Sequence, residues 1–167
     1  EFVPAFMENL PGVGGPKFAR RFAARLAERN VKGSDWSGWG ALSHAERRDR
    51  RARRGAWWGT PTLNTLDAAT AALPRLLRER MDELGLDLVI SYGGLTLYLP
   101  LELDEETRRI TVRALNLTQA EMYREHRDRI IPAAAIPMFT PQEAIAELEY
   151  AVGELGHKVI MIPPGVP

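Results

Sequence analysis

"RIIPAAAIPMFTPQEAIAELEYAVGELGHKVIMI", residues 129–162, decides how this chain folds. It opens on a short apolar run, 129–137, bounded by a charged residue and a proline. The run is continuously apolar instead of alternating, as in a strand covered on both faces. A helix start follows. Thr140 can serve as N-cap, Pro141 sits at the first helical position and Glu143 at the third, a capping-box arrangement. Ile145, Leu148, Val152 and Leu155 then recur at helical spacing and mark the face expected to be buried. Gly156 stops the helix, and "HKVIMI" (157–162) is a second strand. A strand, a helix and a strand in this order make a crossover of the length that parallel pairing requires.

The same pattern extends upstream. "LDLVISY" (86–92) reads as an apolar strand ended by Gly93-Gly94. "DEETRRITVRALNLTQAEMYREH" (104–126) reads as a long helix with acids in its first turn, where the helix dipole favours them. "TLDAATAALPRLLRERMDELG" (65–85) is helical, with Leu73, Leu76, Leu77, Met81 and Leu84 on one face. Pro74 kinks it or begins its second part, and Gly85 stops it. The order α-β-α-β-α-β with apolar strands predicts a parallel sheet with helices on both faces.

Residues 1–63 follow another regime. "NLPGVGGP" (9–16) reads as a Gly/Pro loop. "KFARRFAARLAER" (17–29) is a basic helix with Phe18, Phe22 and Leu26 on one face. "GSDWSGWG" (33–40) is a second loop, and "AWWGTPTLN" (56–64) sets two tryptophans among turn formers. Such a segment suits an insertion or lid anchored by tryptophans.

The 167 residues are 45% apolar and 26% charged, enough to build one core. No apolar run approaches the roughly 18 residues of a membrane span, and no signal peptide is recognisable. With Glu1 first, the chain is expected to start mid-sequence, after processing or at an artificial boundary, so that an N-terminal targeting segment could precede it. The absence of cysteine excludes disulfides, thiolate metal sites and cysteine nucleophiles, and fits a cytoplasmic protein. The net charge of zero hides an asymmetry: residues 1–80 carry 15 basic against 8 acidic side chains, and residues 81–167 carry 7 against 14. The basic excess centres on "ERRDRRARRG" (46–55). No nucleic-acid motif accompanies it, so it reads as a solvated arginine-rich segment.

Two parallel architectures remain, a doubly wound sheet and a (β/α)₈ barrel. No glycine fingerprint of a nucleotide site follows the first strand, and "GVGG" (12–15) follows no strand. Two long stretches, "WWGTPTLNTLDAATAALPRLLRERMDELGLDLVISYGGL" (57–95) and the segment from "RALN" through "DRIIPAAAIP" and "EAIAELEYAVGELGHK" to Pro163 (113–163), resemble the metal-dependent amidohydrolase-related family. This is the (β/α)₈-barrel branch that includes aminocarboxymuconate-semialdehyde decarboxylase. The resemblance implies an α/β fold that is a partial TIM barrel, about strands 2–4, over residues 64–167, behind an N-terminal helical and irregular insertion (1–63). A full barrel takes about 250 residues, so the remainder is expected elsewhere, on a longer chain or a second one. The resemblance also implies a divalent metal ion (Zn, Fe or Mn) for the complete protein. In the family the ligands are a His-x-His on the first strand and a later His and Asp. None of these motifs is matched here, so the ligands are expected outside this chain and no metal ligand is assigned within it.

In barrel enzymes substrate binds at the C-terminal ends of the strands. That rule selects Tyr92 and Gly93 after the first strand and Met138 and Phe139 after the second, with Trp57 and Trp58 as a wall from the insertion. Each has a plainer reading, as packing or as an anchor. His44, His126 and His157 form no ligand pair and read as structural or surface residues; Lys158 lies at the wrong end of its strand for a bridging ligand. Asn116, mid-helix, reads as a buried hydrogen-bonding strut. The function implied by the resemblance is hydrolysis, or non-oxidative decarboxylation, of a small organic substrate with a metal-activated water, in a homo-oligomer. The alternatives are a non-catalytic α/β module whose arginine-rich segment contacts an acidic protein or nucleic acid, with salt-sensitive binding lost when residues 47–54 are neutralised, and one subunit of a split barrel.

Overall fold

The computed structural model describes residues 2–29, 43–49 and 65–163. In chain order these form α1 (Phe2–Arg29), α2 (His44–Asp49), α3 (Thr65–Ala72), α4 (Pro74–Arg80), β1 (Val89–Ser91), α5 (Gly94–Tyr98), α6 (Glu105–Met122), β2 (Ile130–Ala135), α7 (Pro141–Glu149) and β3 (Val159–Met161). The protein is mixed α/β, mostly helical, with one small parallel sheet.

The sheet has the order β1-β2-β3, both pairings parallel. Val89 pairs with Ile130 and Ser91 with Pro132, while Ala133 pairs with Val159 and Ala135 with Met161. Helix α6 connects β1 to β2, and α7 connects β2 to β3. The two helices are joined side by side by Arg108–Glu143 and Arg113–Glu147 contacts, so they lie on one side of the sheet. Helix α1 packs on α6. Phe6, Leu10, Phe18 and Phe22 form a buried cluster with Val112, Leu115 and Ala135, with Phe18 stacked on Phe22 and Phe6 edge-on to it.

Several expectations hold. The stripe of Phe18, Phe22 and Leu26 faces the core. Pro74 starts α4 after Leu73 leaves helical geometry (φ −117°, ψ 108°). The long helix spans 105–122, capped by Asp104, whose side chain accepts from the Thr107 N–H. Gly85 and Gly156 end helices with φ of +67° and +69°, a conformation glycine adopts without steric cost.

Others are corrected. Residues 9–14 are helical, not a loop; α1 breaks only at Gly15 (φ 80°, ψ 160°), and Pro16 restarts it. Glycine and proline content suggested a loop, but burying Leu10 and Phe6 against α6 holds the first half helical. The sheet is also not covered on both faces among the described residues. Only the central strand is buried along its length; Ile90 on β1 and Ile160 on β3 are 50% and 40% exposed. Leu84 is exposed, whereas Met81 is fully buried. On α7 and the π-helical turn that continues it, Tyr150–Glu154, the face is reversed. Ile145, Leu148 and Val152 are exposed, and Glu143, Glu147 and Ala151 are buried.

Candidate functional site

Parallel strands bring their C-terminal ends to one edge, and the segments selected from sequence sit there. Tyr92 is exposed, and Gly93 is the N-cap of α5. Met138 is partly buried against Ala134, Ile136 and Ala151. Phe139 lies flat under a cation, with the Arg108 guanidinium carbon 3.7 Å from its ring centre. Met138 and Phe139 are thus engaged in packing, and Tyr92 is open to solvent. Trp57 and Trp58 lie outside the described residues. His44 opens α2 on the surface, and Lys158 is exposed just before β3.

The polar chemistry lies between α6 and α7, next to the same edge. Arg108 and Glu143 form a buried two-pronged pair, Nε to Oε1 at 2.7 Å and Nη2 to Oε2 at 3.0 Å. Arg108 Nη1 also donates to the Glu102 carbonyl. Glu143 therefore spends its carboxylate on Arg108; of the expected capping box only the Thr140 half forms, with Thr140 accepting from the Glu143 N–H.

One turn on, Glu147 accepts from Asn116 Nδ2 (2.8 Å) and from Arg113 Nε (3.1 Å). Burial pushes the Glu147 carboxyl above its ordinary range, opposed by the Asn116 bond and the Arg113 charge. Asn116 is fully buried. Its amide donates to the Ala135 carbonyl and accepts from the Ala135 N–H. It thus closes onto the end of β2 as a neighbouring strand would. Its backbone carbonyl faces His157 Nε2 at 3.0 Å, and the Pro132 carbonyl faces His157 Nδ1 at 3.1 Å. His157 therefore ties β3 to β2 and α6, the structural role read for it. Asn116 joins four elements: α6, β2, α7 and the lead-in to β3.

This seam floors a cleft of about 530 Å³, with Val13 from α1, Ile110 and Arg109 from α6, and Pro137 after β2 on its walls. The sequence reading missed the seam. Its one signal is the spacing of Glu143 and Glu147, four apart on one helix face, with Arg113 and Asn116 three apart on another. Among the described residues no group of three or more His, Asp or Glu side chains gathers as a metal site. The chain matches no known family model, no curated protein and no solved structure.

Proposed function

We propose that this chain is part of an amidohydrolase-like (β/α)₈ barrel enzyme, acting on a small organic substrate by hydrolysis or non-oxidative decarboxylation. The observation that carries the reading is the sheet. Three parallel strands follow one another in the order β1-β2-β3, with α6 and α7 on one side, as consecutive units of a barrel would. The ends that would face substrate carry Tyr92-Gly93 and Pro137-Met138-Phe139.

The residues described here do not fit a catalytic metal. They offer no three converging ligands, and both ring nitrogens of His157 face backbone carbonyls. The ligands for Zn, Fe or Mn would then lie outside this chain. The test is elemental analysis of the complete protein, purified without chelator, together with hydrolysis and decarboxylation assays. About one divalent ion per barrel, with activity lost on chelation and restored on reloading, is expected. A complete protein free of stoichiometric Zn, Fe and Mn overturns the reading.

A partner-binding module is the second reading. It draws on the exposed apolar residues Ile145 and Leu148 of α7 and Val152 in the π-helical turn after it. Binding that survives charge neutralisation of residues 47–54 but fails when Ile145 and Leu148 become lysine would favour it over the enzyme.

A further inference from the structure

The cleft beside the α6–α7 seam carries a row of charges that the ion pairs of the fold leave open. Glu105, Arg109 and Arg113 follow one another at intervals of four on α6, about 6 Å per step along the helix, and all three line the cleft. Arg113 is fixed from three sides. Its Nε donates to Glu147 at 3.1 Å, its Nη2 to the Ala146 carbonyl at 3.3 Å, and its guanidinium carbon stands 4.2 Å from the centre of the Tyr150 ring. Among the described residues Nη1 has no acceptor, and the side chain is 38% exposed. A guanidinium already held in place, with an open edge, is a preorganised donor for a carboxylate. Arg109 stands one turn away. Among the described residues its one contact, Nη1 to Glu105 at 3.4 Å, joins side chains 62% and 71% exposed, and such a pair contributes little in water.

The other acids on the walls are committed. Glu106 pairs with Arg21, Glu143 with Arg108 and Glu147 with Arg113. Glu105 is left with the loose contact to Arg109. The cleft thus presents one accessible carboxylate followed by two accessible guanidinium groups, beside an apolar wall of Val13, Ile110, Pro137 and Ala146. Charge selects among ligands. The four glutamates are matched by four arginines, so a bare anion or cation upsets the balance, while a zwitterion leaves it even. The volume of about 530 Å³ admits a molecule with a bulky side chain.

We propose that this cleft binds a free α-amino acid with an apolar side chain. Its carboxylate lies between Arg109 and Arg113, its ammonium takes the place of Arg109 beside Glu105, and its side chain covers Ile110 and the apolar wall. Binding exchanges one loose ion pair for two. The inference does not depend on the barrel reading, because only α1, α6, α7 and Pro137 build the site.

The test uses the full 167-residue chain and L-phenylalanine, whose ring marks what it touches through ring-current shifts in methyl NMR. The methyl groups of Val13, Ile110 and Ala146 are expected to shift saturably along one binding curve. 3-Phenylpropanoate lacks the ammonium and phenethylamine lacks the carboxylate; each should bind about threefold or more weakly. Arg109→Gln, at an exposed position, should weaken phenylalanine by a similar factor without weakening phenethylamine. Glu105→Gln should remove the advantage of phenylalanine over 3-phenylpropanoate. Absence of saturable methyl shifts up to the solubility of phenylalanine overturns the proposal. So do equal affinities for the three molecules, which mark an apolar patch without charge recognition, and a phenylalanine affinity unchanged in both variants.

Discussion

Gly14 and Gly15 stand side by side in α1 and are needed for different reasons. A Cβ on Gly14 would lie 2.5 Å from Ile110 Cγ2 and 2.9 Å from Phe18 Cδ1. There the helix is pressed against α6, and only a missing side chain lets it approach. A Cβ on Gly15 would meet nothing within 4 Å, but its φ of +80° with ψ of 160° is reserved for glycine. Gly14→Ala should therefore cost about 1–3 kcal/mol by overpacking, and Gly15→Ala a similar amount by backbone strain, about 1–3 kcal/mol. The two separate in a second measurement. Ile110→Ala removes the Cγ2 methyl that the Gly14→Ala methyl would meet, so the loss from Gly14→Ala should shrink in that background in urea denaturation, whereas the loss from Gly15→Ala should not. Asn116 gives the third expectation at this level. Asn116→Leu keeps the volume but leaves the Ala135 N–H and carbonyl without their partner. With about 1–3 kcal/mol for each buried polar group left unsatisfied, it should be among the most damaging single changes in the chain. Asn116→Ala with equal stability to wild type would sink the view that it fastens β2.

Among the helices, α7 shows why a side-chain pattern can be read correctly and placed wrongly. Periodicity establishes which residues share a face; it does not say which face turns inward. Ile145, Leu148 and Val152 do share one, and Glu143, Glu147 and Ala151 share the opposite one. The inward choice was made by α6, whose buried Arg108 and Asn116 need acceptors and whose half-exposed Arg113 adds a cation beside Glu147. That requirement arises between elements 31 to 35 residues apart, and no local window contains it. What was legible was local chemistry: the Thr140 cap, the Pro74 start, the Asp104 cap, the glycine stops and the apolar strands. The seam also yields a double-mutant test. Arg108→Ala leaves Glu143 buried without its cation and should cost about 3–5 kcal/mol. Arg108→Met with Glu143→Leu replaces the pair by apolar groups of similar size and should recover most of that loss in chemical denaturation. Non-recovery would point to the other tasks of Arg108, its bonds to the Glu102 and Leu103 carbonyls and its stacking on Phe139. On the outer face, Ile145→Lys should change stability by no more than about 0.5 kcal/mol, as for surface positions generally.

Taken together, the described residues form a layer of helices over one side of a sheet whose central strand alone is buried. The alternation of strands and helices made parallel pairing readable in advance. How much of the sheet would be covered was not readable, because coverage depends on what stands beside β1 and β3. Ile90, Ile160, Leu88 and Ile162 are each 40–52% exposed, and an uncovered apolar strand is a template for another strand. Two states of affairs make opposite forecasts for one experiment. If these strands face solvent, Ile90→Lys with Ile160→Lys should leave the thermal midpoint nearly unchanged, within about 0.5 kcal/mol of stability. The pair should then lower concentration-dependent self-association in analytical ultracentrifugation. If further strands flank β1 and β3 in a complete barrel, the same lysines enter a buried interface, and each unpaired charge costs several kcal/mol. The complete protein should then lose its fold or its assembly, while the 167-residue chain tolerates both changes. A difference between the two proteins would show that further strands flank β1 and β3, and equal tolerance in both would count against the barrel.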